Sequence, residues 1–236
     1  VLNGGQMGAG LDLTVSADGF GGFDDGGEGG RGTGGTAAIN VSGTGSVLIA
    51  DNITASADGL GGALALDSVT GDVIGADEGG DGVGGNATIS VSGGAQLAAT
   101  VGVVASAAGR GRVGLDQSGN GTGGDARIQV TGAGTGFTSP QTTINAAGVG
   151  GGSISDSFYG TVLSANGGDG VGNAALLSFG TDTGSSVSAG AVSINASGTG
   201  GGANGDDSTG GNAVGGDVLV EANGGLGVEV TRADGP

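Results

Sequence analysis

The chain has 236 residues, 64 of them glycine, with no cysteine, histidine or tryptophan, and its basic residues are five arginines against 23 acidic groups, for a net charge of −18. These absences remove disulfides, thiol chemistry, the commonest general base and the commonest transition-metal ligand. The charge repels nucleic acid and anionic membranes, and the longest apolar runs fall far short of a membrane span, so neither partner is expected.

Taken in chain order, the first patterned segment is Leu11-Asp12-Leu13-Thr14-Val15-Ser16-Ala17-Asp18-Gly19, where Leu11, Leu13 and Val15 alternate at the period of a strand. After a glycine-rich acidic stretch comes Gly34-Gly35-Thr36-Ala37-Ala38-Ile39-Asn40-Val41-Ser42-Gly43, a phrase that returns at 84–93 with Ile89 and Val91 and at 123–132 with Ile128 and Val130. Weaker copies begin at Val171-Gly172-Asn173-Ala174 and Gly210-Gly211-Asn212-Ala213. A second phrase follows the first: Ile53-Thr54-Ala55-Ser56-Ala57-Asp58-Gly59, Val103-Val104-Ala105-Ser106-Ala107-Ala108-Gly109, Ile144-Asn145-Ala146-Ala147-Gly148 and Ile194-Asn195-Ala196-Ser197-Gly198. The alternation extends to Leu97/Ala99/Val101/Val103 and to Val218/Val220.

Steps between the second glycines are 50, 39, 48 and 39 residues, so the repeat is elastic, and the elasticity sits in the glycine-rich stretches. Units this small cannot bury their own apolar faces and must stack on a shared core. Helix is a poor alternative, since each interior glycine would cost about 1 kcal/mol against alanine. Collagen fails for want of a strict every-third glycine. Disorder fails because a floppy linker has no reason to keep aliphatics at alternating positions. The expectation is an all-β, parallel β-solenoid over 1–236, a single segment of a longer repetitive protein, with irregular glycine-rich loop insertions. Each half-unit of roughly 20 to 25 residues is expected to form one turn, giving about ten coils in a rod about 50 Å long. Ile39, Val41, Ile89, Val91, Ile128 and Val130 should share the core, and glycines should supply positive φ at the corners.

The run Gly85-Asn86-Ala87-Thr88-Ile89-Ser90-Val91-Ser92-Gly93-Gly94-Ala95-Gln96-Leu97-Ala98-Ala99, followed by Val104-Ala105-Ser106-Ala107-Ala108-Gly109, resembles the coils of filamentous-haemagglutinin-type and autotransporter passenger proteins of Gram-negative bacteria. The resemblance spans nearly the whole chain. It implies a right-handed parallel β-helix, secreted to the cell surface or the extracellular space as an adhesin or surface fibre, with host or surface glycans among its partners. The targeting region and translocator barrel of that family are missing from this sequence, and the glycine-rich inserts are longer than the family's.

Acidic residues gather just before Gly-Gly phrases: Asp24, Asp25 and Glu28; Asp77, Glu78 and Asp81; Asp206 and Asp207. The preferred reading is solvated loop charge that keeps a repetitive β surface soluble. The alternative is calcium, a hard ion that several loop carboxylates and carbonyls would suit. No other cofactor is expected. The nearest approach to a calcium nonapeptide is Gly167-Gly168-Asp169-Gly170-Val171-Gly172-Asn173, with its Asn one place late. A β-helical polysaccharide-acting enzyme would need an acid pair backed by cations or aromatic platforms, and with so few of either the chain is read as no enzyme. Asn40, Asn52, Asn86, Asn120 and Asn195 stand in Asn-x-Ser/Thr triplets, a slight excess that strand alternation of small polar residues explains. Phe20, Phe23, Phe137, Phe158, Tyr159 and Phe179 are assigned to packing, and only the adjacent Phe158-Tyr159 pair is worth testing against sugar. With strand pattern near both ends, head-to-tail association with copies of itself or with further coils of the parent chain is expected.

Overall fold

The structure, a computed structural model, describes residues 1–8, 10–22, 28–62, 65–66, 73–74, 78–152, 166–180, 184–203 and 208–223. All the regular structure in them is strand, and nearly all of it parallel. Sheet 1 contains Leu2–Asn3, Thr36–Ser42, Asn86–Ser92, Asp125–Thr131, Ala175–Gly180 and Val218–Asn223 in that order. Sheet 2 places Gln6–Gly8 and Leu13–Ser16 against Val47–Ser56, then adds Gln96–Ser106, Gly136–Asn145 and Ser186–Asn195. Sheet 3 is made of two-residue strands, Gly19–Phe20, Gly59–Leu60, Gly109–Arg110, Gly148–Val149 and Gly198–Thr199. Sheet 4 matches it with Gly32–Thr33, Gly82–Val83, Gly121–Thr122, Gly170–Val171 and Ala213–Val214. The chain visits the four sheets in the same order on every circuit. A short antiparallel pair, Ala65–Leu66 with Val73–Ile74, stands apart from this path.

One circuit consumes a whole repeat unit, not a half-unit as expected. First-phrase strands pair with first-phrase strands in sheet 1 and second-phrase strands with their own kind in sheet 2. The reason is the inward pattern: Ala37, Ile39 and Val41 lie beside Ala87, Ile89 and Val91, then Ala126, Ile128 and Val130, so aliphatic meets aliphatic at every inward place. The second phrase has a different pattern and would break that match. The six strands of sheet 1 span about 24 Å, half the expected rod. The register continues Ile128 to Leu177 and Val220, so the true steps from Ile39 are 50, 39, 49 and 43. The fifth copy of the first phrase is therefore Gly215-Gly216-Asp217-Val218, because Val218 pairs with Ala175. Gly210-Gly211-Asn212-Ala213 belongs to the approach to sheet 4, where Ala213 pairs with Gly170.

Sheets 1 and 2 enclose the apolar core. Ile39, Val41, Ile89, Val91, Ile128 and Val130 are all buried in it, as the alternation requires. Phe137 and Phe179 also lie inside, with ring centroids 5.9 Å apart. In sheet 2 the alternation slips at a corner: Ala50 is buried, Asp51 and Asn52 face outward, and Ile53 is buried again. The strand Gln96–Ser106 carries an extra residue at the same corner, with a register shift between Ala99 and Gly102, and Val101 emerges 50% exposed where simple alternation would place it inward. The inward place paired with Val103 is occupied by Thr142, whose buried hydroxyl has no hydrogen-bond partner among the described residues. Leu11 is exposed at one margin, and Val218, Leu219 and Val220 at the other, where no further strand covers them among the described residues.

Positive φ is confined to one corner. Among the described residues it occurs at eight glycines, from Gly4 to Gly184, all on the connection from sheet 1 to sheet 2; Gly45, at +83°, is typical. The glycines of sheets 3 and 4 have another task. Packed sheets normally stand about 10 Å apart with side chains between them. Here the backbones touch: a Cβ on Gly121 would lie 2.0 Å from the carbonyl oxygen of Val149.

Beyond sheet 3 each circuit runs outward through glycines and returns to sheet 4, forming a thin arm. Its interior is closed mainly by main-chain hydrogen bonds, joined by one from the buried Ser118 hydroxyl to Gly152 O at 3.1 Å. The Gly62 N–H donates to Gly30 O at 2.8 Å, Gly80 N–H to Gly62 O at 3.1 Å, Arg112 N–H to Gly80 O at 3.0 Å and Gly119 N–H to Arg112 O at 2.7 Å, and the zigzag goes on through Gly151, Gly168, Gly201 and Gly211. Inward N–H groups that would otherwise be buried unpaired are satisfied this way.

Candidate functional site on the glycine arm

Two outer surfaces of the arm gather polar and charged side chains. The first holds the described members of the acidic set. Glu28 lies beside Glu78, Glu78 beside Gln117 and Gln117 beside Asn166, one circuit apart in a single outward column. Asp81 is not a free ligand: its Oδ1 accepts the Asn120 N–H at 2.7 Å. The same bond repeats along the axis, with Asn120 Oδ1 accepting the Asp169 N–H at 2.8 Å and Asp169 Oδ1 accepting from the Asn212 N–H at 2.6 Å and from its side-chain amide at 3.0 Å. These side chains stitch each circuit to the next. Asp24, Asp25, Asp77, Asp206 and Asp207 lie outside the described residues, as do Phe23, Phe158 and Tyr159. Among the described residues no group of three or more acidic side chains converges as a metal site would require. Asn52 and Asn195, two of the triplet asparagines, also carry structural bonds, to Asp12 and to the Ser197 N–H.

The second surface lies on the outside of sheet 3. Register places Phe20, Leu60, Arg110 and Val149 in one column at successive circuits. With Asp18, Asp58 and Arg112 they line an open groove of about 450 Å³. Phe20 is 74% exposed, and Arg110 and Arg112 are exposed too. The ion pair found among the described residues is elsewhere, Arg127 with Asp125 at 2.8 Å, so both groove arginines are without a carboxylate partner there. The two aspartates are held by the fold. Asp18 Oδ1 accepts from the Ser56 hydroxyl at 2.6 Å and the Asp58 N–H at 2.7 Å, and Asp58 Oδ1 repeats the pattern with Ser106 and the Ala108 N–H, both at 2.7 Å. Burial alone would raise the Asp18 carboxyl, but hydrogen bonds from Ser16, Ser56 and Asp58 outweigh it and hold the group below its ordinary value of 3.8.

Sequence reasoning missed this second surface and the ladder of the first. Both had a signal. Gly29-Gly30-Arg31-Gly32, Gly79-Gly80-Asp81-Gly82, Ser118-Gly119-Asn120-Gly121, Gly167-Gly168-Asp169-Gly170 and Gly210-Gly211-Asn212-Ala213 form a third repeated phrase. The residue after the closing glycine of each second phrase gives the groove column. Compared with family models, with curated proteins and with solved structures, the chain matches none.

Proposed function

We propose that this chain is a right-handed parallel β-helix that serves as a structural or adhesive rod of a bacterial cell-surface or extracellular fibre, working through shape and through the surfaces its arm displays. The observation that carries the reading is the in-register stacking of equivalent positions, Ile39 on Ile89 on Ile128 on Leu177, which joins every circuit to the next by a full row of main-chain bonds. Such a stack is stiff along its axis, and each circuit presents the next with the same four edges. The exposed Val218, Leu219 and Val220 favour contact with a further row of strands, from the parent chain or from a second copy. No catalytic chemistry is assigned, since histidine is absent and lysine with it.

Light scattering across a sodium chloride series tests the self-association, because screening of the −18 charge should promote it. Growth of elongated particles with salt is the expected result. A compact monomer at every ionic strength would count against stacking between copies. Calcium acting beyond equal ionic strength of sodium would move the assignment to the alternative, a calcium-dependent surface-layer or matrix protein. A crystal structure with left-handed circuits would overturn the handedness.

A further inference from the structure

We propose that the sheet 3 groove binds an acidic oligosaccharide, a uronate-bearing chain of at least two sugar units lying along the stacking axis. This gives the adhesive part of the rod reading a place and a ligand class, and its failure would leave the rod itself untouched. The argument starts from what the groove offers. Arg110 and Arg112 are exposed and without a carboxylate partner among the described residues, in a chain whose net charge of −18 makes such cations scarce. A guanidinium fork matches a carboxylate with two parallel hydrogen bonds. A long nucleic-acid strand, charged along its whole length, would meet the repulsion of the whole molecule, whereas a short oligosaccharide with only a few carboxylates meets mainly the local pair.

Phe20 and Leu60 supply the other half of the recognition. They occupy the first two places of the same outward column, and Phe20 is 74% exposed in a chain with only 3% aromatic residues. Together they make a small apolar platform suited to the C–H face of a pyranose ring. Asp58 adds a hydroxyl acceptor: its Oδ1 is used by Ser106 and the Ala108 N–H, while its Oδ2 takes no hydrogen bond among the described residues. Few convergent polar groups beside an apolar floor is the usual make-up of a small-molecule site. The spacing sets the ligand's length. Phe20 and Arg110 stand two circuits apart, about 10 Å along the axis, so one ring cannot reach both. A ring on Phe20 and Leu60 must be joined to a carboxylate-bearing unit at Arg110 and Arg112.

Calorimetric titration of the full chain with tetragalacturonate, and with cellotetraose as the uncharged match, tests this. Tetragalacturonate should bind at least about tenfold more tightly and weaken as salt rises. The double variant Arg110→Ala/Arg112→Ala should lose about tenfold for tetragalacturonate and nothing for cellotetraose. Phe20→Ala should weaken both probes, and Arg31→Ala, a single-arginine control remote from the groove, should weaken neither. All the substituted side chains are exposed, and an unchanged thermal midpoint verifies the fold of each variant. Absence of tetragalacturonate binding, equal binding of the two probes, or equal loss in Arg31→Ala and in the double variant would overturn the assignment.

Discussion

The interior between sheets 1 and 2 and the interior of the glycine arm are closed by opposite means. The first is filled with aliphatic side chains, Ile39, Ile89, Ile128 and their neighbours, and the second is closed by backbone against backbone. In the first, removing atoms does harm, because packed neighbours cannot collapse into the space. In the second, adding a single carbon does harm, because a carbonyl already occupies the place. The comparison teaches that high glycine content can specify an interior as strictly as aliphatics do, provided main-chain hydrogen bonds replace the missing contacts.

The sharpest way to break the comparison is to put a methyl group where the backbones touch. Gly121→Ala would bring a Cβ within 2.0 Å of Val149 O, and neither strand can move without breaking its sheet. Loss of the cooperative fold is expected, beyond about 4 kcal/mol by denaturant titration. Gly152→Ala is the control, since among the described residues, its chain neighbours aside, nothing lies nearer than 3.8 Å to its added carbon, and it should change stability by less than about 0.5 kcal/mol. If both variants melt alike, close approach is not what holds sheets 3 and 4.

On the aliphatic side Ile89→Ala should cost about 2–5 kcal/mol, because Ile89 is wholly buried between Ile39 and Ile128. An effect below about 1 kcal/mol would show that the core is loosely packed. Thr142→Val should act in the other direction. Replacing a buried hydroxyl that has no partner with a methyl of similar shape, in a place paired with Val103, should stabilise by about 1 kcal/mol and raise the melting temperature.

The smallest effect concerns the bonds between circuits. Asp18 has a folded-state carboxyl below its ordinary value of 3.8, so its contribution is present above that pH and is lost as pH falls through the lower folded value. Asp18→Asn should therefore be less stable than the parent at neutral pH, by a few tenths of a kcal/mol after solvent screening, and the gap should close below pH 3.8. Melts of both proteins across the acid range measure it. A gap that persists unchanged at low pH would mean the ionised carboxylate is not what binds Ser56 and the Asp58 N–H.

The inward residues of sheet 1 were legible in the sequence because alternation and phrase repetition agree at Ile39, Ile89 and Ile128. The circuit length was not, since a strand carries no local mark of which later strand it will join, and the half-unit looked long enough to turn on its own. Val101 was misplaced because one extra residue at a corner reverses the facing of its neighbours. Glycine was misjudged because close approach and tight turning use the same residue, and among the described residues only Gly45 and its seven counterparts do the second. Phe20 and Arg110 are 90 residues apart, so their meeting could be read only after the register of Gly19, Gly59 and Gly109 was known. The acidic residues were hard to assign for a related reason. Asp81 is taken up by the Asn120 N–H, a use its glycine-rich surroundings did not announce.

Most of the difference in circuit length falls at one place, the turn-back of the glycine arm. Outward and returning halves of the arm are joined by the stretches between Gly22 and Glu28, Gly62 and Glu78, Arg112 and Gln117, Gly152 and Asn166, and Gly202 and Thr209, while the four sheets keep their register apart from the one-residue shift between Ala99 and Gly102 in sheet 2. Closing a loop twice as long costs only about 0.6 kcal/mol. Each of these joining stretches is therefore a natural grafting position. A foreign peptide inserted there would be carried outward at a fixed spacing of about 4.8 Å from its neighbours, turning the molecule into a ruler on which short sequences can be presented in ordered array.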